Sequence, residues 1–202
     1  MSLGGWAVFA VFWALFVTTP GPNAVNCITN GMSHGLPRAL WGVAGILTQA
    51  ALFLTLSAAG ITALIAASPT VFAWAKLMGA AVLIWLGVRG WRNATIAVAP
   101  RPATGASIYT RALLIATVNA KSVAGYLAAF SQFVEPGVPI ARQMIAIVPT
   151  ALTLTALSYS TYTALGAWLG GLALGAVMNT RLRQGLAACF ILYGVLLGAS
   201  AL

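Results

Sequence analysis

Two short segments invite a chemical reading. One is Thr18-Thr19-Pro20-Gly21-Pro22-Asn23 and the other is Thr117-Val118-Asn119-Ala120-Lys121, each set inside a long apolar run. Two prolines remove two backbone donors and clash with the preceding turn, so a continuous helix through the first segment is not expected. The glycine between them permits dihedrals that other residues avoid. A break of this kind leaves a new helix N-terminus at Pro22-Asn23, where free N–H groups and a positive dipole suit a carboxylate. Asn23 adds an amide donor and acceptor, and Thr19 is a secondary candidate beside it. In the second segment Asn119 and Lys121 are the candidates, with Thr117 next to them. Lys121 is an expensive charge inside an apolar run. It must face a bundle interior or water and needs a partner. That partner is a substrate carboxylate, a helix C-terminal end, or none if burial favours the neutral amine and proton exchange.

What surrounds these segments sets their depth. Of 202 residues, 61% are apolar and 5% charged, against about a quarter charged in a soluble domain. Apolar runs of roughly 20 residues cross a hydrocarbon core of about 30 Å, and backbone in lipid must bond internally, which implies helices. The alternation of an outer-membrane barrel is not seen. Six apolar stretches run over about 4–32, 39–67, 70–88, 108–134, 143–172 and 185–202. A rise of about 1.5 Å per residue puts both segments near mid-membrane, reached from opposite surfaces. Unwound backbone there must be buried in protein or line a wet cavity.

The hydrophilic stretch from Arg89 to Arg111, punctuated by proline and glycine, divides the chain into two halves of three spans. Three is odd, so the second half enters upside down. The expected fold is an all-α membrane protein of six transmembrane helices in two inverted three-helix repeats, with helices one and four broken. It forms one domain over 1–202: repeat one at about 1–90, a loop at about 91–107, and repeat two at about 108–202. The first apolar run, which lacks a basic leader region, reads as a span and not as a removed signal.

The formal charge is +9, from ten Lys/Arg and one acid, Glu135. The basic residues are spread thinly between apolar runs, which argues against nucleic acid and for topology signals facing an anionic leaflet. Arg38, Arg89, Arg92, Arg101, Arg111, Arg181 and Arg183 fall in the loops after spans one, three and five. That end is expected in the cytoplasm, with both termini outside. Arg142 and Glu135 mark the other side, where Lys76 can snorkel. Weaker signals are Thr48 and Gln49 in span two and Tyr126, Tyr159 and Tyr162 later, all able to line a cavity or to pack. His34 is expected in a solvated first loop. Gly166-x3-Gly170 suits close helix packing. Cys27 and Cys189 read as small apolar residues without a CxxC or Cys/His neighbour, so no metal site or cofactor is expected.

The chain resembles the LysE/RhtB group of amino-acid exporters nearly end to end. TPGPN followed by NGMSHGLPRALWGVAG is similar to that group's PGPN block and the glycine pattern behind it. AKLMGAAVLIWLGVRGWR, TVNAKSVAGYLAAFSQFVEPG and RLRQGLAACFILYGVLLG resemble its third, fourth and sixth spans. Its usual Asn-Pro-Lys reads Asn119-Ala120-Lys121 here, so the second break is expected to be milder. The resemblance implies a non-enzymatic secondary exporter in the bacterial inner membrane, moving amino acids or close derivatives out of the cytoplasm in exchange for protons. Its partners are then the small-molecule substrate, protons and membrane lipids, with a homo-oligomer compatible. Members that export lysine or arginine carry a histidine in place of this lysine and an acid nearby. Lys121 without such an acid repels a second positive charge, which points to neutral amino acids. Two other readings stay open: a membrane thiol–disulfide reductase, which needs a cysteine pair in spans one and four, and a passive channel or scaffold.

Overall fold

The structure is a computed structural model that describes residues 2–60, 68–92, 94–95, 103–119, 138–171 and 176–199, together with Ser122, Gly125, Tyr126, Ala129 and Phe133. Lys121, Glu135 and Arg101 lie outside the described residues, as do the side chains of Lys76 and Arg183.

The described chain is helical: α1 (Leu3–Thr18), α2 (Pro22–Ala58), α3 (Pro69–Arg92), α4 (Gly105–Val118), α5 (Ile140–Gly171) and α6 (Ala176–Ala199). Ser122, Gly125, Tyr126, Ala129 and Phe133 are helical beyond α4. Among the described residues, α2 and α5 are each long and apolar enough to cross a membrane. α2 contains a reversal at Gly35, whose φ of 70° and ψ of 167° lie in a region that a side chain disfavours. Pro37 follows in the first turn of the next segment, where its missing N–H costs nothing.

Several expected boundaries shift. No loop separates the first two apolar runs: one glycine turns the chain, and His34 is half-buried instead of solvated. The second apolar run was expected to reach about 67; α2 ends at Ala58, followed by Gly60 with φ 75° donating to the Ser57 carbonyl at 3.0 Å, and 61–67 lie outside the described residues. α3 continues through Arg92 and α4 begins at Gly105, so the central loop is shorter at both ends than the polarity pattern suggests. α5 and α6 begin before 143 and 185, and Arg181 is helical. Arginine is a good helix former, so basic residues at a span end extend it instead of breaking it.

Packing pairs α2 with α5 and α4, α1 with α5, and α3 with α6. Glycine makes these approaches possible. A Cβ on Gly31 would meet the Thr163 and Ala167 backbone, one on Gly166 would meet Ile28, and one on Gly45 would meet Tyr109 and Leu113. The registers give direction. Trp6 meets Thr150 and Tyr162 meets Thr18, so α1 and α5 run parallel. Gly87 and Gly90 face Ile191 and Ala187 while Gly194 and Gly198 face Ile84 and Ala80, so α3 and α6 run antiparallel. Two buried clusters form the core. One gathers Phe9, Trp13, Val17, Leu54, Tyr126 and Ile147. The other gathers Ala24, Cys27, Val43, Ile46, Ala112, Ala116 and Tyr159.

Candidate functional site

The first break is present. α1 ends at Thr18, Thr19 caps it in extended backbone, and α2 starts at Pro22 behind Gly21. Gly21 has φ −169° and ψ −173°, an extended conformation open to any residue, so the dihedral freedom expected of this glycine is not what the break uses. The second break is also there: α4 ends at Val118 and Asn119 caps it in extended backbone at φ −76°, ψ 103°. Thr19 has nearly the same dihedrals, φ −65° and ψ 122°. The second core cluster joins Ala24 and Cys27, just past the first break, with Ala112 and Ala116, just before the second, so the two breaks are brought together.

A helix that stops inside an apolar medium leaves orphan carbonyls. Here α5 and the threonines supply their donors. The Tyr162 hydroxyl donates to the Thr18 carbonyl at 2.6 Å and the Ser158 hydroxyl to the Val17 carbonyl at 3.0 Å. Thr18 and Thr19 hydroxyls turn back on the Ala14 and Leu15 carbonyls at 2.7 Å each. Upstream, the Trp13 indole N–H bridges the Ala151 carbonyl and the Thr155 hydroxyl at 3.1 Å each. The carbonyl end of the break is therefore closed by protein. At the N–H end Gly21 provides no side-chain cap, Pro22 has no N–H to offer, and the Asn23 and Ala24 N–H groups lie ahead of the first intrahelical bond, from Val25 to the Gly21 carbonyl at 3.0 Å.

Past that end, α2 presents a row of amides. Asn23, Asn26 and Asn30 recur at spacings of three and four, which places them on one helix face. They are 2%, 1% and 5% exposed, and Gln49 on the returning segment is 1% exposed. Asn23 Oδ1, Asn26 Nδ2, Asn30 Nδ2 and Gln49 Nε2 have no hydrogen-bond partner among the described residues. Buried polar groups are normally paired, so four such atoms on one element make this face a candidate for a partner outside the described residues. The other edge of Asn23 meets the Tyr159 hydroxyl, and Asn30 lies against Gly42. Asn26 and Asn30 were not singled out in the sequence, although their i, i+3, i+7 spacing with Asn23 was the available signal.

The other candidates distribute as follows. Pro20 and Thr19 are exposed, while Gly21, Pro22 and Asn23 are buried. Asn119 is buried. Thr117 is exposed, its hydroxyl donating to the Leu113 carbonyl of its own helix at 2.8 Å. Tyr126 is buried between the Trp13 and Phe53 rings, with centroids at 5.2 and 5.5 Å, which makes it part of the aromatic core. Thr48 accepts from the Tyr109 hydroxyl at 3.0 Å. Cys27 is buried on α2 and Cys189 half-buried on α6, and neither is in a disulfide.

Two clefts flank this region. One, of about 420 Å³, opens between α1 and α5 beside Val17, Thr18, Ser158 and Tyr162. The other, of about 820 Å³, lies at the arginine-bearing end between α2, α3 and α4, and Asn30 forms part of its wall.

Comparison with known proteins places this architecture. The family model of the LysE type translocator matches residues 14–201. The chain is 31% identical over 203 residues to an uncharacterized membrane protein of Vibrio cholerae, covering 99% of both. It is 26% identical to the homoserine/homoserine lactone efflux protein of Salmonella typhimurium, over 99% of this chain and 98% of that one. A leucine efflux protein of Enterobacter is 28% identical over 72% of this chain and 71% of its own length. No solved structure matches. An apolar, all-helical chain with a proline-broken first helix, matched over nearly its whole length, belongs to the LysE type translocator family of membrane proteins.

Proposed function

We propose that this protein is a secondary active exporter of neutral amino acids or close derivatives, working by proton antiport across the bacterial inner membrane. The observation that carries the reading is the buried amide face of Asn23, Asn26 and Asn30, each with one atom unpartnered among the described residues, which leads from the broken helix to the large cleft. Relatives described as homoserine/homoserine lactone and leucine efflux proteins support the substrate class.

In this reading the six spans form two inverted repeats. The helix pairing supports it: exchanging the first three spans with the last three turns the α1–α5 contact into the α4–α2 contact and leaves α3–α6 unchanged. The parallel and antiparallel registers agree with six alternating crossings. The arginine-bearing end faces the cytoplasm and both termini lie outside. The substrate carboxylate sits at the open N-terminus of α2 by Pro22 and Asn23, with Lys121 as its counter-charge from the second break and Asn119 beside it. Lys121 also moves the proton, since a cation loses its reason to stay charged when the carboxylate leaves. As the only cation of the site, it disfavours substrates with a second positive charge.

Efflux from proteoliposomes over a panel of amino acids, with and without an imposed pH gradient, tests this. Uphill export of a neutral amino acid that collapses with the gradient is expected. Lys121→Ala and Gly21→Leu should each abolish export at normal protein levels. Normal export by both variants would remove the site, and export indifferent to the gradient would remove the antiport.

A further inference from the structure

We infer that the large cleft at the arginine-bearing end is a carboxylate-capture site, separate from the broken-helix site, where the substrate docks before it moves inward. This rests on the export reading above. The cleft is about 820 Å³ and includes Asn30, His34, Trp85, Arg89, Ser107 and Arg111 in its wall. That volume is in the range of small-molecule sites, about 300–1,000 Å³.

Its electrostatics ask for an anion. The Arg89 guanidinium lies 5.4 Å from the centre of the Trp85 ring, which holds it at the rim. Arg89 is close enough to repel Arg111, and His34 feels the charges of Arg111 and Arg38. Like charges gathered in one cleft need a counter-ion. The chain has ten Lys/Arg and only one acid, so nearly all its cations lack an intrachain carboxylate. The anion must come from outside.

Geometry selects a free carboxylate over a lipid phosphate. Asn30 is buried, lines the cleft and has an amide nitrogen without a partner among the described residues. It is also the last of the amides on the α2 face, about 10 Å along the helix from Asn23. A carboxylate between the two guanidiniums has a charge-assisted anchor. The ammonium of the same zwitterion is repelled by them and turns inward; the Asn30 nitrogen is itself a donor and serves the carboxylate, while the free acceptor farther along this face is Asn23 Oδ1. A molecule held this way already points along the polar face that leads to the break. A lipid headgroup has no use for such a continuation.

The test compares substrates with and without a free carboxylate in proteoliposome export: leucine against leucinamide, which differ only there, and homoserine against homoserine lactone, which also ties up the side-chain hydroxyl. Arg111→Gln and Arg89→Gln should raise KM for the free acid at least about fivefold, and for the lactone or amide less than twofold. Arg111→Lys should recover most of the loss, and Arg142→Gln, on a different helix, should leave the acid KM in place. In the wild type, raising salt should increase the acid KM and not that of the neutral-carboxyl partner, which needs no variant to fold. An equal effect on both members of a pair, or no effect, overturns the capture site while the export reading stands. An effect that appears with phosphatidylglycerol vesicles and vanishes in pure phosphatidylcholine assigns the cleft to lipid and also overturns it. If the wild type exports none of the four compounds and no other amino acid of the panel, the export reading falls first and the capture site with it.

Discussion

A buried amide atom without a partner costs about 1–3 kcal/mol, because its bonds to water are lost and not replaced. Asn26, 1% exposed, carries such an atom in a row with Asn23 and Asn30. Leucine has the same branched arrangement of heavy atoms, with bulkier methyl ends, and no polar atom to leave unpaired. Asn26→Leu should therefore hold or raise the melting temperature in detergent while lowering export at least about tenfold. Loss of both would make Asn26 an ordinary structural amide. His34 is the chain's one histidine. Partial burial, then the charges of Arg111 and Arg38, hold its pKa below the ordinary 6.5. The unfolded chain thus takes the proton first as pH falls. Stability from this group is complete above about 6.5 and is lost as pH drops below that toward the depressed folded value. Melting temperature should fall between pH 7.5 and 5, and His34→Gln should flatten that fall.

At the scale of the element, a broken helix survives in an apolar medium only if its free carbonyls find donors. α5 provides them from residues one helical turn apart, Ser158 to Val17 and Tyr162 to Thr18. Tyr162→Phe and Ser158→Ala each leave a carbonyl unpaired and should destabilise by about 1–3 kcal/mol. Thr161→Ala is the control: among the described residues that hydroxyl bonds only to Leu157 of its own helix, and its loss should matter little. Unfolding in mixed micelles measures all three. The break itself was legible in the sequence, because the missing donors of Pro20 and Pro22 are a property of the residues. Its closure was not. Serine and tyrosine 140 residues downstream look like any polar residues in a span until packing brings them to these carbonyls. Tyr126 makes the same point in reverse: it could line a cavity or fill a core, and Trp13 and Phe53 decide for the core.

At the scale of the molecule, α3 and α6 pack antiparallel through small residues. A Cβ at Gly90 would sit 3.3 Å from that of Ala187, and one at Gly198 3.4 Å from that of Ala80. In a background with Cys27→Ala and Cys189→Ala, the pair Gly90→Cys with Ala187→Cys should oxidise readily to a disulfide, as should Ala80→Cys with Gly198→Cys. The mismatched pair Ala80→Cys with Ala187→Cys should not, since positions 80 and 90 are about 15 Å apart along the helix. Mobility on a denaturing gel distinguishes these outcomes, and cross-linking of the mismatched pair alone would reverse the assigned direction of α6.

The sequence by itself determined the solvent, the break and the imbalance of charge. These follow from side-chain composition, from prolines that cannot donate, and from a count of arginines against one acid, none of which depends on a neighbour. The tertiary structure decided the rest. It replaced a loop with the single turn at Gly35, gathered Arg89, Arg111 and His34 around one cleft, and sealed the carbonyl end of the break while leaving one amide atom each of Asn23, Asn26 and Asn30 without a partner among the described residues. The physical reason is that satisfaction and burial are properties of pairs: an amide becomes costly only when other helices exclude water and offer it nothing in return.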